Sequence, residues 1–284
     1  MRTRARGSRF FLFFAVVAVI AGVTVAVWRG TGPLPDPPGC KATVGGHTVY
    51  LQPDQAANAS LIAAIGVRRG LPARAVSIAL ATAYQESKIR NLTHGDRDSI
   101  GIFQQRPSQG WGTVKQISDE YYTINKFYDA LEKIDGYQTM RITEAAQKVQ
   151  RSGFPEAYEA HAPDARALAS ALTGYSPGGA FTCVTREPDG HGTAASATSA
   201  LVKAYGGLDT ARTGSRQDFT VSLATGQDGN RKGWSVAGYL LSHADQLHVT
   251  GVSFDGKSWR AGATSGKGWQ SSSATSTTLT VSLG

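Results

Sequence analysis

The sequence predicts a mainly α-helical domain followed by a small α+β domain, with a transmembrane helix at the N-terminus. Three patterns indicate this order: an uncharged apolar run over residues 10–28, helical periodicity through residues 53–175, and a β-α-β-β succession after residue 218. A chain of 284 residues is long enough for one good core and a small second domain.

The apolar run at residues 10–28 is nineteen residues long, enough to cross the hydrocarbon core of a bilayer as a helix. Four arginines precede it and Arg29 follows, so the positive-inside rule predicts a cytoplasmic tail at residues 1–9 and an extracytoplasmic remainder. We therefore expect a single-pass protein of the plasma membrane. The alternative is a signal peptide cleaved near residues 24–26, which would give a secreted protein.

The positive charge of the chain is concentrated at this N-terminus. The formal net charge is +8, and five of the 29 basic side chains lie in residues 1–35, which contain no acid. Residues 36–284 thus carry 24 basic against 21 acidic side chains, a net charge of about +3. No dense basic cluster is present, which argues against a nucleic-acid partner, whereas a slight positive excess would suit an anionic polymer.

The two cysteines, Cys40 and Cys183, are predicted to form a disulfide, because an even count in an oxidising compartment favours pairing. The bond would hold together the two ends of residues 41–182. In the chain-entropy model, closing a loop of this length stabilises the folded state by about 4–5 kcal/mol. The alternative is a pair of buried free thiols.

The order of helices and strands suggests domain boundaries. The Pro- and Gly-rich residues 29–52 predict an extended spacer, and residues 53–185 a compact helical domain. A linker at 186–217 and a small α+β domain of unknown role at 218–284 follow. Predicted helices lie at 54–69, 72–90, 118–134, 144–151, 163–173, 197–205 and 233–247, and predicted strands at 219–224, 249–256 and 278–284.

Glu86 is the leading catalytic candidate. It shares a helix face with the small residues Ala79, Thr82 and Ala83, and it lies near the helix C-terminus. Burial and the helix dipole both disfavour its charged form, so its pKa should be raised, as a proton donor at neutral pH requires. The alternative is a surface glutamate paired with a neighbouring basic residue, Lys88 or Arg90.

A family resemblance strengthens this assignment. Glu86 followed by Ser87, then the sequence SIGIFQ at residues 99–104, resembles the Glu-Ser … Ser-x-Gly-Leu-Met-Gln pattern of soluble lytic transglycosylases and goose-type lysozymes. Gly95, Asp96 and Arg97 resemble the Gly-Asp-Arg that precedes the same turn in goose-type lysozymes. The resemblance covers about residues 53–175.

The resemblance implies a lysozyme-like fold that cleaves the β-1,4 bond between N-acetylmuramic acid and N-acetylglucosamine in peptidoglycan. Glu86 would act as acid and then base, and a lytic transglycosylase would leave a 1,6-anhydro end. A hydrolytic muramidase would instead use water positioned by aspartate, with Asp96 in that role, but Arg106 occupies the position of a second family aspartate. The remaining alternative is a non-catalytic peptidoglycan-binding or scaffold protein.

A second departure concerns a family Tyr-Asn pair, for which Val149 and Gln150 stand here. The Gln150 amide could still contact a sugar, and the missing hydroxyl could come from one of four tyrosines, at positions 84, 121, 122 and 158. Trp111 lies between glycines and could stack on a sugar ring, whereas the aromatic residues at 121–128 have the spacing of a helix core. The predicted substrate-binding residues are Ser99, Gly101, Phe103, Gln104, Gln105, Trp111 and Gln150.

The six histidines are scattered, without a metal-binding spacing, so we expect no metal and no cofactor. The expected partners are the glycan strands of peptidoglycan and the plasma membrane, with other cell-wall proteins possible.

Overall fold

The computed structural model of the protein describes residues 36–154, 156–214 and 217–284. Residues 38–284 form one compact unit. Its helices are α1 (Pro53–Arg68), α2 (Ala73–Ser87), α3 (Val114–Ile117), α4 (Glu120–Leu131), α5 (Ile142–Gln150), α6 (Ala162–Leu172), α7 (Ala194–Tyr205), α8 (Gln227–Ser242) and α9 (Ala244–Leu247). Single 3₁₀ turns lie at Pro107–Gln109, Ala157–His161 and Gly262–Lys267.

Helix α2 is the central element of the helical region. Pro72 precedes its first turn, and nearly all of residues 75–83 are small or apolar and buried, so the helix is surrounded by α1, α5, α6 and the 3₁₀ turn Ala157–His161. It ends at Ser87 because Lys88 and Ile89 both adopt left-handed backbone conformations (φ 56° and 60°). The Ile89 amide then donates to the Ala83 carbonyl at 2.9 Å. The predicted continuation of this helix to residue 90 is thus wrong by three residues.

A three-stranded antiparallel sheet lies beside the helices, where the sequence predicted a spacer and no strands. Its strands are β1 (Gly39–Val44), β2 (His47–Leu51) and β3 (Phe181–Val184), in the order β2-β1-β3. Gly45 and Gly46 form the turn between β1 and β2, both at positive φ. Cys40 faces Cys183 across the β1–β3 pair, and the two are disulfide-bonded, which confirms the predicted pairing.

A second, six-stranded antiparallel sheet lies in the C-terminal region. The strands are β4 (Asp209–Arg212), β5 (Phe219–Ser222), β6 (Val249–Phe254), β7 (Lys257–Arg260), β8 (Gln270–Ser271) and β9 (Thr278–Leu283), in the order β4-β5-β9-β6-β7-β8. The predicted fold class, a mainly α domain followed by a β-α-β-β unit, is therefore wrong, because two antiparallel sheets accompany the helices. The unpredicted strands β4, β7 and β8 are two to four residues long and rich in polar side chains, so they carry no apolar alternation.

The helical region and the second sheet share one hydrophobic core. Helix α8 packs on β6 and also against α1 and α6. Gly238 on α8 lies against Leu172 and Phe181, and Ser242 bonds Ser60 of α1 at 2.6 Å. The boundaries predicted at residues 185 and 217 stay predictions, and the described core is continuous across them.

The transmembrane prediction needs correction. Among residues 36–154, 156–214 and 217–284, no helix is long and apolar enough to cross a membrane. The predicted anchor at residues 10–28 itself lies outside the described residues. The N-terminal transmembrane helix and the single-pass plasma-membrane localisation derived from it are accordingly withdrawn.

Candidate active site around Glu86

Glu86 lies in the last turn of α2, where the chain leaves the helix for the loop at residues 88–113. Its side chain is half-buried. The next residue, Ser87, fixes the loop to the helix end, because its hydroxyl donates to the Ile102 carbonyl at 2.7 Å. The Glu-Ser pair and the turn at residues 99–104 are thus in direct contact.

Two side chains from later segments bond the Glu86 carboxylate. The Tyr158 hydroxyl donates to Glu86 Oε1 at 2.8 Å, and the Gln150 side chain forms a second hydrogen bond. Gln150 Nε2 also donates to the Phe103 carbonyl at 2.8 Å, which links the end of α5 to the loop. Burial raises the pKa of Glu86, and the bonds from Tyr158 and Gln150 partly offset this rise. The site therefore favours a protonated carboxyl and also provides donors for its ionised form.

Tyr158 supplies the hydroxyl that the sequence could not assign. Its ring is fully buried in the 3₁₀ turn Ala157–His161, and burial together with the nearby Glu86 carboxylate raises the pKa of Tyr158. It therefore remains a neutral donor across the physiological pH range. Tyr84 instead stacks on His161 with ring centroids 4.7 Å apart, and Tyr122 donates to the Trp111 carbonyl at 3.1 Å. Tyr121 bonds Tyr239.

The turn at residues 99–104 is held by bonds within itself. The Ser99 hydroxyl donates to Gln104 Oε1 at 3.0 Å, and Gln104 Nε2 donates to the Gly101 carbonyl at 3.2 Å. Gly101 has a φ of 81°, and a Cβ on Gly95 would overlap Ser99 and Gln104. The glycine preceding Asp96 is thus required by the close approach of this turn.

Four of the predicted substrate-binding residues are buried: Ser99 and Gly101 lie in the turn, and Phe103 and Gln105 pack into the core. Phe103 is fully buried and stacks on Phe127 at a centroid distance of 4.3 Å. Gln105 is also buried, and its amide oxygen accepts the Thr123 hydroxyl at 2.8 Å. Both residues hold the loop against α4, and neither side chain is exposed to a ligand. In contrast, Gln150 lies on Glu86, and Trp111 is partly exposed.

The aspartates of the loop have different surroundings. The Asp96 side chain is 94% exposed, and its ion pair with Arg97 has an N–O distance of 4.0 Å. The Asp98 carboxylate accepts hydrogen bonds from Arg106 Nε at 2.7 Å and from both the backbone amide and the hydroxyl of Ser108. These bonds hold the pKa of Asp98 well below its usual range. Arg106 thus serves as the partner of Asp98, and neither aspartate is hydrogen-bonded to Glu86.

A groove of about 720 Å³ opens beside Gln150. It runs between the end of α5, the exposed side of α4 and the segment that contains Trp111. Gln150 belongs to both the groove and the Glu86 hydrogen-bond network. Across residues 36–154, 156–214 and 217–284, no cluster of three or more metal-binding side chains is found.

A comparison with known families matches a different part of the chain. A family model described as VldE, C-terminal domain, matches residues 192–280. The chain is similar to that family over less than half of its length, from α7 into β9, and Glu86, Gln150 and Tyr158 lie outside the match. No curated protein matches the chain. The resemblance to lytic transglycosylases and goose-type lysozymes stays a prediction based on the residues quoted for it.

Proposed function

We propose that the protein cleaves the glycan strands of peptidoglycan at the β-1,4 bond between N-acetylmuramic acid and N-acetylglucosamine, as a lytic transglycosylase. The observation that carries this proposal is the half-buried Glu86, with its raised pKa and the Tyr158 hydroxyl 2.8 Å from Oε1. Cleavage of a glycosidic bond requires a carboxylic acid whose pKa is raised, and burial moves the pKa of Glu86 in that direction.

The proposed reaction uses Glu86 twice. Its proton passes to the glycosidic oxygen as the bond from that oxygen to the anomeric carbon breaks, and the acetamido oxygen of the substrate bonds to the same carbon. The Tyr158 hydroxyl and the Gln150 amide stabilise the carboxylate so formed. That carboxylate then removes the proton of the muramic 6-hydroxyl, whose oxygen bonds to the anomeric carbon as the bond from that carbon to the acetamido oxygen breaks. Glu86 is protonated again, and no water is consumed.

The surroundings of the aspartates favour this outcome over hydrolysis. An inverting hydrolase needs a second carboxylate, about 6.5–9.5 Å from the acid, to deprotonate water. Asp98 is held ionised by Arg106 and Ser108, which makes it a weak base, and the fully solvated Asp96 has no bond to the Glu86 network. Asp96 is the residue on which a hydrolytic muramidase would depend.

The test is cleavage of purified peptidoglycan by wild type, Glu86→Gln and Glu144→Gln. Glu144 is an exposed glutamate whose role, accepting the Arg141 backbone amide, an amide oxygen can also fill. We expect Glu86→Gln alone to lose activity. Clearing by the Glu86→Gln protein, or by none of the three, would contradict the proposal.

The products separate the remaining possibilities. Mass spectrometry of the released fragments should show 1,6-anhydro ends. Reducing ends alone would identify a hydrolase, and Asp96 would then be the residue expected to position the water. Binding of peptidoglycan by all three proteins without any release of fragments would identify a non-catalytic glycan-binding protein.

A further inference from the structure

The groove beside Gln150 has a marked excess of positive charge. Four basic side chains line it, together with a single acid, Asp129; the basic residues are Lys126, Lys133, Lys148 and Arg151. They come from α4, from the segment after it and from the end of α5, so the fold brings together charges that are up to 25 positions apart in sequence.

The one acid does not neutralise these cations. Asp129 accepts Arg69 Nη2 at 2.8 Å, so its charge is already paired by a residue that does not line the groove. Lys126 lies over the Tyr122 ring, 5.5 Å from its centroid. Within the described residues, Lys133, Lys148 and Arg151 have no carboxylate partner. A concave surface lined by one sign of charge concentrates counter-ions, so the groove should attract an anion.

Gln150 connects the groove to the candidate active site. Its side chain bonds Glu86 and Phe103, and it also lines the groove, as does Trp111. If a glycan strand binds at Glu86, the substituents on its neighbouring sugars would therefore lie close to the groove. The sugar rings themselves carry no charge, so a ligand for four cations must come from acidic groups that are attached to them.

We propose that this groove binds the carboxylate groups of the peptides that glycan strands carry, and that the protein thereby prefers peptide-bearing strands to bare ones. The inference rests on the proposed function, since it assigns a substrate feature to the same site. The shared chemistry is an anion, so a phosphate-containing polymer is the rival ligand that the test must separate from a peptide carboxylate.

The test measures binding in the Glu86→Gln background, which prevents turnover. The two ligands are a soluble tetrasaccharide fragment of peptidoglycan with its peptides and the same tetrasaccharide without them. In the second ligand the lactyl carboxylates that peptide removal exposes are capped as amides, so that it carries no negative charge. The groove variant is Lys133→Glu/Lys148→Glu, and the matched control is Lys41→Glu/Lys267→Glu. All four lysines are exposed, and both control positions lie outside the groove. The readout is the ratio of the two dissociation constants.

We expect the peptide-bearing fragment to bind about three- to tenfold more tightly, as two or three exposed ion pairs would give. The groove variant should bring the ratio close to one and the control should leave it unchanged. Raising the salt from about 0.1 M to about 1 M should also reduce it, because screening shortens the Debye length from about 10 Å to about 3 Å.

Three results would overturn the inference: equal binding of both fragments, a ratio that the groove variant leaves unchanged, or an equal loss in the control. A polyglycerol phosphate that displaces the peptide-bearing fragment at matched charge would assign the groove to phosphate polymers instead. If neither fragment binds, the proposed function fails with the inference. Equal binding of both overturns the inference alone.

Discussion

Tyr158→Phe is the substitution that best separates a chemical role from a structural one. Tyr158 is fully buried, and its hydroxyl donates to Glu86 Oε1 at 2.8 Å. Phenylalanine keeps the ring and its packing and removes only this donor. The lost hydrogen bond stabilises the ionised form of Glu86 more than the protonated form. The pKa of Glu86 should therefore rise further in the variant.

The expected loss of activity follows from the strength of the bond. A hydrogen bond to a charged group contributes about 1.5–3 kcal/mol, which corresponds to about 10- to 150-fold in rate if the carboxylate is formed in the transition state. Activity that needs protonated Glu86 falls as the pH rises through the pKa of that group. Because the variant raises this pKa, the alkaline limb of the pH profile should move to higher pH while the maximum rate falls.

The assay is the initial rate of fragment release from peptidoglycan across a pH series, for wild type, Tyr158→Phe and Tyr84→Phe. Tyr84 is the matched control, because it lies two residues from Glu86 and contacts His161 and Lys88 through its ring. We expect Tyr84→Phe to retain the wild-type pH profile. A Tyr158→Phe protein with a lower rate but an unmoved alkaline limb would refute the assigned role.

Three further substitutions test the site and the fold through urea unfolding. Burial raises the pKa of Glu86 above its ordinary 4.5, so wild type loses stability as the pH rises through that raised value. The free energy of unfolding of Glu86→Gln relative to wild type should therefore increase from about pH 4 to about pH 8. A difference that does not depend on pH would contradict this expectation. Replacing both Cys40 and Cys183 by serine should cost about 2–5 kcal/mol, because the disulfide spans 143 residues, and a reductant should then have no further effect. Gln105→Ala leaves the Thr123 hydroxyl unpaired in the core and should cost about 1–3 kcal/mol, whereas a change below about 0.5 kcal/mol would show that water replaces the bond.

The longer helices were largely predictable because each buries an apolar face of regular period, whereas the four-residue helix α3 was not predicted and α8 begins six residues before its predicted start. Helices α1, α5 and α6 lie within two residues of their predicted starts, and the disulfide pairing was also correct. The first sheet was missed because β1 and β2 lie in a segment rich in Gly, Pro and Thr, and because β3 pairs with β1 about 140 residues away. Pairing over such a separation is set by the tertiary fold, so no local pattern predicts it.

The site was predictable to the extent that its residues are close in sequence. Glu86, Ser87 and the turn at residues 99–104 form one local motif, and the structure places them in contact. Tyr158 follows Glu86 by 72 residues and lies in a 3₁₀ turn without a strong pattern of its own. The sequence narrowed the hydroxyl donor to four tyrosines, but only the packing of the 3₁₀ turn against α2 selects one of them.

Gln150 connects the chemistry of the site with the selectivity proposed for the groove. A group that acts first as acid and then as base needs a pKa at which both its protonated and its ionised form are accessible. At Glu86, burial raises the pKa, whereas the hydrogen bonds from Tyr158 and Gln150 lower it. Gln150 sits at the end of α5, one residue after the buried Val149 and one before Arg151 in the cationic groove. An anion bound at Arg151 would therefore lie next to Gln150, the residue that bonds Glu86, and could change the position of its side chain. Peptide-bearing strands should for this reason differ from bare strands in maximum rate as well as in affinity.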